Sequence, residues 1–123
     1  MKRFSEKYII TKEMKWEKLG GGVSRKFLGY DNQIMMVKVK FEKGALGAPH
    51  QHFHTQATYC VSGKFEFEID GVKQIIEAGD GVYIQPNLLH SAVCLEEGML
   101  IDTFSPVRED FLSGGEVSYF GDK

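Results

Sequence analysis

The chain has 123 residues, which is enough for one domain with a single hydrophobic core. Its 15 basic and 17 acidic residues give a formal charge of −2, and neither sign forms long blocks. This balance argues against nucleic acid or an acidic membrane as a partner, so we expect a small-molecule ligand.

Residues 1–22 are predicted to form an N-terminal segment that precedes the main domain. The first seven residues carry four charged side chains, and no long apolar run follows them. This pattern predicts neither a signal peptide nor a membrane span, so we expect a cytoplasmic protein. Residues 8–16 are amphipathic enough to pair with a second subunit, and they are the predicted contact of a homodimer.

Residues 23–112 are predicted to form one all-β domain. Extended runs, separated by Gly, Asn, Asp or Pro about every eight to twelve residues, are typical of a β-sandwich or barrel. Residues 34–41 and 64–69 alternate between apolar and polar side chains, which predicts half-buried strands with inward-facing Met35, Val37, Val39, Phe41, Phe65, Phe67 and Ile69. The pair Asp70-Gly71 then predicts a tight hairpin turn.

Three smaller predictions concern the cysteines and the C-terminal end. Cys60 and Cys94 lie in apolar, strand-like runs without the close spacing of a metal site, so we expect buried free thiols rather than a disulfide or metal ligands. Residues 107–112 have room for one helical turn. Residues 113–123, which contain the glycine pair Gly114-Gly115, are predicted to form a C-terminal tail.

His50 and His52 are the first indication of a metal site. On an extended segment, side chains at positions i and i+2 project from the same side, so both imidazoles can reach one ion. His54 shares this parity but falls in the bend before Gln56. For His54 we leave open a place beside the ligands, contact with the substrate, or exposure to solvent.

The strand predicted over residues 99–105 carries a second group of polar and aromatic side chains. Leu100, Asp102 and Phe104 share one face. Because Asp102 lies between two apolar neighbours on that face, we predict that it points inward, where a carboxylate needs a partner or a task. Arg108 is a candidate partner, and a surface salt bridge from Arg108 to Glu109 or Asp110 is the alternative.

Residues 20–105 resemble the cupin family. Its first motif is a Gly, five residues, His-x-His, three or four residues, a Glu, six residues and a Gly, matched here by Gly44, His50, His52, Gln56 and Gly63. Its second motif is a Gly-Asp pair leading to a Pro and a His, matched by Gly79, Asp80, Pro86 and His90. The resemblance implies a single-domain jelly-roll barrel, also called a double-stranded β-helix.

The same resemblance implies one divalent transition metal per chain, bound by His50, His52, Gln56 and His90. The metal is left open among zinc, nickel, iron, manganese and copper. Since Gln56 stands where the motif has a glutamate, all four ligands are neutral and the charge of the ion is uncompensated. An anion about 4 Å away would gain about 4 kcal/mol at an effective dielectric of about 20, before desolvation, so we expect an anionic ligand.

A closer resemblance links most of the chain to the cupins called KdgF. It rests on the Gln-containing site and on two further runs, Arg25-Lys26-Phe27-Leu28-Gly29-Tyr30 and Asp102-Thr103-Phe104-Ser105-Pro106-Val107-Arg108. This resemblance implies ring opening of 4,5-unsaturated monouronates from pectin or alginate to 4-deoxy-5-keto uronates. It also implies that Asp102, Phe104 and Arg108 are the residues tied to activity.

Two other functions remain open at this point. One is a non-catalytic cupin that binds a sugar acid as a carrier or sensor. The other is a cupin dioxygenase or epimerase, of which the oxygenase would need iron or copper and would consume O2.

Overall fold

The computed structural model describes residues 3–112 and consists almost entirely of antiparallel β-structure. Its strands are β1 (Glu17–Gly20), β2 (Val23–Tyr30), β3 (Met35–Phe41), β4 (Leu46–His50), β5 (Thr55–Ile69), β6 (Val72–Glu77), β7 (Gly81–Ile84) and β8 (His90–Ser105). A single 3-10 turn, Thr11–Glu13, and the short helix α1 (Glu109–Leu112) complete the described elements. The predicted all-β fold and the predicted helical turn are confirmed, whereas the predicted tail lies outside the described residues.

Two long strands, β5 and β8, organise the sheets. The first half of β5 pairs with β7 and with the second half of β8, which in turn pairs with β3. The second half of β5 pairs with β6 and with the first half of β8, which in turn pairs with β4. The β5–β8 pair therefore belongs to both layers of a double-sheet fold, with β1, β2 and β3 extending one of them.

The two layers are joined at a bend in the middle of the long strands. The β5–β8 register shifts between Cys60 and Phe65, and the backbones of Gly63 and Gly98 meet there. A Cβ atom on Gly63 would lie 2.6 Å from the Glu97 carbonyl oxygen, closer than real contacts allow. Each strand continues through this bend, so β5 has 15 residues and β8 has 16. Both are longer than the runs of about eight to twelve residues that the sequence predicts between turns.

The alternation predicted for the strands is present in the core. Met35, Val37, Val39 and Phe41 are all buried, and so are Phe65 and Phe67. The rings of Phe41 and Phe65 lie 5.2 Å apart, so β3 packs across the core against the second half of β5. The core therefore lies between the two layers.

Local predictions around the core also hold. Asp70 and Gly71 both have positive φ angles, 51° and 84°, as a two-residue hairpin turn of this kind requires. Cys60 and Cys94 are buried free thiols. Residues 17–20 of the predicted N-terminal segment form β1, so the sheet begins before residue 23. Among the described residues, no helix is long and apolar enough to span a membrane.

Candidate metal centre

His50 and His90 are brought together by strand pairing. His50 ends β4, His90 begins β8, and the two residues are direct partners in the register of these strands. Their ring centroids are 4.3 Å apart. Each ring donates its Nδ1–H to a backbone carbonyl two residues earlier, that of Ala48 at 2.8 Å and that of Leu88 at 2.9 Å. A carbonyl can only accept, so Nε2 of each ring keeps its lone pair.

His52 completes the cluster from the loop that follows β4. Its ring centroid lies 5.5 Å from that of His50 and 5.0 Å from that of His90. Each of the three histidines offers one ring nitrogen, and these atoms lie within 4.8 Å of one another. The sequence argument placed both His50 and His52 on one strand, but β4 ends at His50. The two rings nevertheless lie side by side, with their centroids 5.5 Å apart.

The donor set fits a divalent transition metal. Three neutral imidazoles form a ligand group that zinc, copper, iron and nickel accept. His90 Nε2 is buried and has no hydrogen-bond partner among the described residues, as expected of an atom whose lone pair serves an ion. His52 Nε2 and Gln56 Oε1 lie 3.0 Å apart, so both can reach one ion at bond lengths of about 2.1 Å.

Burial keeps these imidazoles neutral. Loss of hydration is the main cause that lowers the pKa of His50 to about 4 and that of His52 to about 3, and the Arg108 charge adds to both shifts. The pKa of His90 is lowered for the same two reasons. At neutral pH all three rings are therefore unprotonated, which is the form that binds a metal.

Gln56 is oriented by a chain of hydrogen bonds that begins at Asp102. The Thr58 hydroxyl donates to Asp102 Oδ1 at 2.7 Å, because a carboxylate accepts. Thr58 Oγ1 in turn accepts from Gln56 Nε2 at 3.0 Å. The amide oxygen of Gln56 must then point the other way, towards His52. All three residues of this chain are buried.

Asp102 faces inward, as predicted, and is 4 % exposed between buried Leu100 and Phe104. Arg108 is 3 % exposed and holds Asp110 through two hydrogen bonds, of 3.1 Å from Nε and 2.9 Å from Nη2. The alternative pairing with Asp110 is thus present, and it joins a buried guanidinium to a carboxylate that is 41 % exposed. The Arg108 guanidinium also lies over the Phe104 ring, 5.0 Å from its centroid.

One cavity collects most of these side chains. It encloses about 400 Å³, part of it open to solvent, and contains both candidate ligands and candidate catalytic residues. Its polar and aromatic lining includes His50, Gln56, His90, Asp102, Phe104 and Arg108. A mostly apolar cavity with a few convergent polar groups is typical of a small-molecule site.

His54 is buried, which excludes the solvent-exposed alternative. It is 5 % exposed, and its Nε2 donates to the carbonyl oxygen of Val107 at 3.2 Å. Its ring lies 5.3 Å from that of His52 and stacks on Phe53 at 4.0 Å. His54 thus connects the loop that carries His52 to the residue before Arg108.

Thr58 is the site residue that the sequence analysis missed. The signal was available, because Thr58 shares strand parity with Gln56 and with the buried Cys60. A threonine in a strand is more often a packing residue than part of a polar network, so parity alone did not single it out.

Comparisons with known proteins agree with this geometry. A model of the cupin domain matches residues 37–103. The chain is 48 % identical over 108 residues to the pectin degradation protein KdgF of Dickeya dadantii (strain 3937), covering 86 % of this chain and 98 % of that protein.

Two solved structures are similar over nearly the same length. A cupin from Shewanella frigidimarina is 44 % identical with a TM-score of 0.88, covering 89 % of this chain and 99 % of that one. KdgF from Halomonas sp. is 38 % identical with a TM-score of 0.83, covering 87 % and 99 %. With its double-sheet fold, its histidine cluster and these matches, the chain is a member of the cupin family.

Proposed function

We propose that this cupin opens the ring of 4,5-unsaturated monouronates to give 4-deoxy-5-keto uronates. One divalent metal would be held by His50, His52, Gln56 and His90. The similarity to two KdgF proteins, one of them named for pectin degradation, supports a substrate derived from pectin. Alginate yields unsaturated uronates of the same chemistry.

The observation that carries the proposal is the lining of a single cavity. Three of the four proposed ligands share it with a buried carboxylate, a buried guanidinium and an aromatic ring. A uronate needs this combination, because it has a carboxylate to bind, an apolar ring face to cover and a proton to move. Most of these polar groups are nine-tenths or more buried, so water competes little with the substrate.

Arg108 would bind the substrate carboxylate. Its guanidinium is already fixed by Asp110 and by the Phe104 ring, so little conformational entropy is lost when an anion arrives. Phe104 would cover one face of the sugar ring. The metal, when bound, would supply a Lewis acid that anchors a substrate oxygen.

Asp102 would move the proton. It accepts the proton of the anomeric hydroxyl while the bond between C1 and the ring oxygen breaks, which leaves an aldehyde at C1 and an enolate at C5. Asp102 then gives this proton to C4, and the enolate becomes the ketone. The product is an isomer of the substrate, so one acid-base group suffices and no oxidant or reductant is consumed.

Turnover of an authentic substrate tests the proposal. The metal-loaded protein is incubated with 4,5-unsaturated galacturonate, and the loss of the alkene absorbance is followed beside a protein-free control. We expect loss that is far faster than the spontaneous reaction and a product with the mass of the substrate. Binding of the uronate without acceleration would instead favour the non-catalytic sugar-acid-binding cupin, and uptake of O2 would favour the dioxygenase.

A further inference from the structure

Arg25 is a charged residue in the interior of the protein. It lies on β2, between the layers, and is 2 % exposed. Its Nε donates to Glu17 Oε1 at 2.9 Å, and its Nη2 lies 3.4 Å from Glu17 Oε2. Its Nη1 is buried and has no hydrogen-bond partner among the described residues. Burial of an incompletely paired guanidinium is costly, so it calls for a role.

The aromatic rings around Arg25 indicate that role. Its guanidinium carbon lies 4.9 Å from the centroid of Phe27 and 4.5 Å from that of Phe111. Phe111 belongs to α1, which has four residues and is too short to be stable without packing. The position of α1 therefore depends on what Phe111 touches.

The ring of Phe111 also contacts Arg108, the proposed carboxylate-binding residue. The Arg108 guanidinium lies 4.3 Å from the Phe111 centroid, so two buried guanidinium groups lie over one ring. Glu17 pairs with Arg25 and Asp110 pairs with Arg108, which offsets the repulsion between the two cations. Phe111 also contacts Phe104 edge-on, with the ring centroids 5.6 Å apart. Since Phe104 lines the cavity, the contacts that begin at Arg25 reach the cavity wall.

We propose that Arg25 is a positioning residue: by holding Phe111, it fixes the orientation in which Arg108 faces the cavity. Neither Arg25 nor Phe111 is part of the cavity lining, so Arg25 acts through Phe111 and Arg108. The effect on substrate affinity rests on the proposed function of Arg108. The effect on the orientation of Arg108 does not rest on it.

Three variants of the full-length, metal-loaded protein test this role. Arg25→Met removes the planar cation but keeps an apolar side chain. Arg25→Lys keeps the charge without the planar guanidinium. Lys26→Met is the matched control, because Lys26 is the next residue on β2 and makes a cation–π contact of 4.5 Å with Trp16, away from the cavity.

The measurements are kcat and KM for unsaturated galacturonate, metal content, and the NMR signal of the Arg108 Nε–H group. We expect Arg25→Met to raise KM by about tenfold or more, with a smaller change in kcat, because displacement of a substrate-binding group by about 1 Å can cost about a hundredfold. Arg25→Lys should also raise KM. The Arg108 signal should shift or broaden in both variants, and Lys26→Met should leave KM and the signal unchanged.

Several results would overturn the proposal. These are an unchanged Arg108 signal in Arg25→Met, full restoration of KM by lysine, or activity that only follows the folded fraction. If the wild-type protein turns over no uronate, the proposed function fails, but the Arg108 signal still decides the role of Arg25. If Arg25→Met does not fold, Glu17→Gln replaces it, because Glu17 is half-exposed and the neutral amide weakens its pairing with Arg25 without leaving a cavity.

Discussion

The fold has two ends that are equally buried but differ in chemistry. At the bend end, defined by Cys60, Phe65 and Cys94, the inward side chains are apolar or thiol. At the cavity end, where Gln56, Asp102 and Phe104 from one tip of the β5–β8 pair meet His90 from the other tip, three of these four side chains are polar. The same alternation of side chains thus builds a hydrophobic core at one end and a cavity with polar side chains at the other.

Burial acts on both ends in the same way, with different results. It raises the pKa of Cys60 and Cys94, so both thiols stay protonated and behave as small hydrophobes. It lowers the pKa of His50 and His52, so both imidazoles stay neutral. A neutral thiol is inert, whereas a neutral imidazole is a metal ligand, so desolvation, with the Arg108 charge adding to it, prepares the cavity end for an ion.

The largest expected effect is the loss of the metal when two ligands are removed. His50→Ala/His52→Ala leaves one imidazole and an amide, too few donors to hold a transition metal against water. Metal analysis should fall from about one ion per chain to near zero. Equal metal content in both proteins would refute the site and end the distinction between the two ends.

A substitution at the bend end should instead cost stability. Phe65→Ala removes a fully buried ring and should lower the free energy of unfolding by about 3–5 kcal/mol. Chemical denaturation measures this change, and turnover per folded molecule should remain. Tyr59→Ala, on the outward face of the same strand, is the control and should change stability by about 0.5 kcal/mol or less.

At the cavity end, a change of one atom should cost turnover rather than stability. Asp102→Asn keeps the acceptor oxygen for Thr58 but cannot take up a proton, so we expect turnover to fall at least about a hundredfold. Melting temperature and metal content should barely move. Glu66→Gln, on the outward face of β5, is the matched control. Near-normal turnover in Asp102→Asn would exclude its catalytic role.

The smallest expected effect is that of pH on the stability of the metal-free protein. Between pH 6.5 and about 4 the unfolded chain protonates His50 and His52, whereas the folded chain does not. Stability should therefore decrease as the pH falls through this window. Melting temperatures across the window measure the effect, and His50→Ala/His52→Ala should show a shallower decline. Identical slopes for the two proteins would contradict the neutral-histidine account.

Strand alternation allowed much of the site to be predicted from the sequence. The inward positions of Val37, Asp102 and Phe104 follow from the period of two, which is a local property of the chain. The histidine pair needed only that period, and the approach of His90 needed the family spacing. The homodimer and the cytoplasmic location stay predictions.

Long-range packing explains what could not be predicted. Arg25 shares parity with Val23 and Phe27, but a charged residue in a strand is usually exposed, and its partners Glu17 and Phe111 lie far apart in the sequence. The burial of His54 depends on Val107, 53 residues later. The bend at Gly63 needs Gly98, and neither glycine alone indicates a close approach.

The contact between Gly63 and Gly98 has a consequence for how this protein can diversify. The contact fixes the register of β5 against β8, because neither backbone can move past the other. A single-residue insertion between Gln56 and Gly63 would turn the Gln56 side chain from the cavity to the outward face of β5. New specificities in this lineage should therefore arise by substitution within the strands, while insertions and deletions accumulate only in the loops.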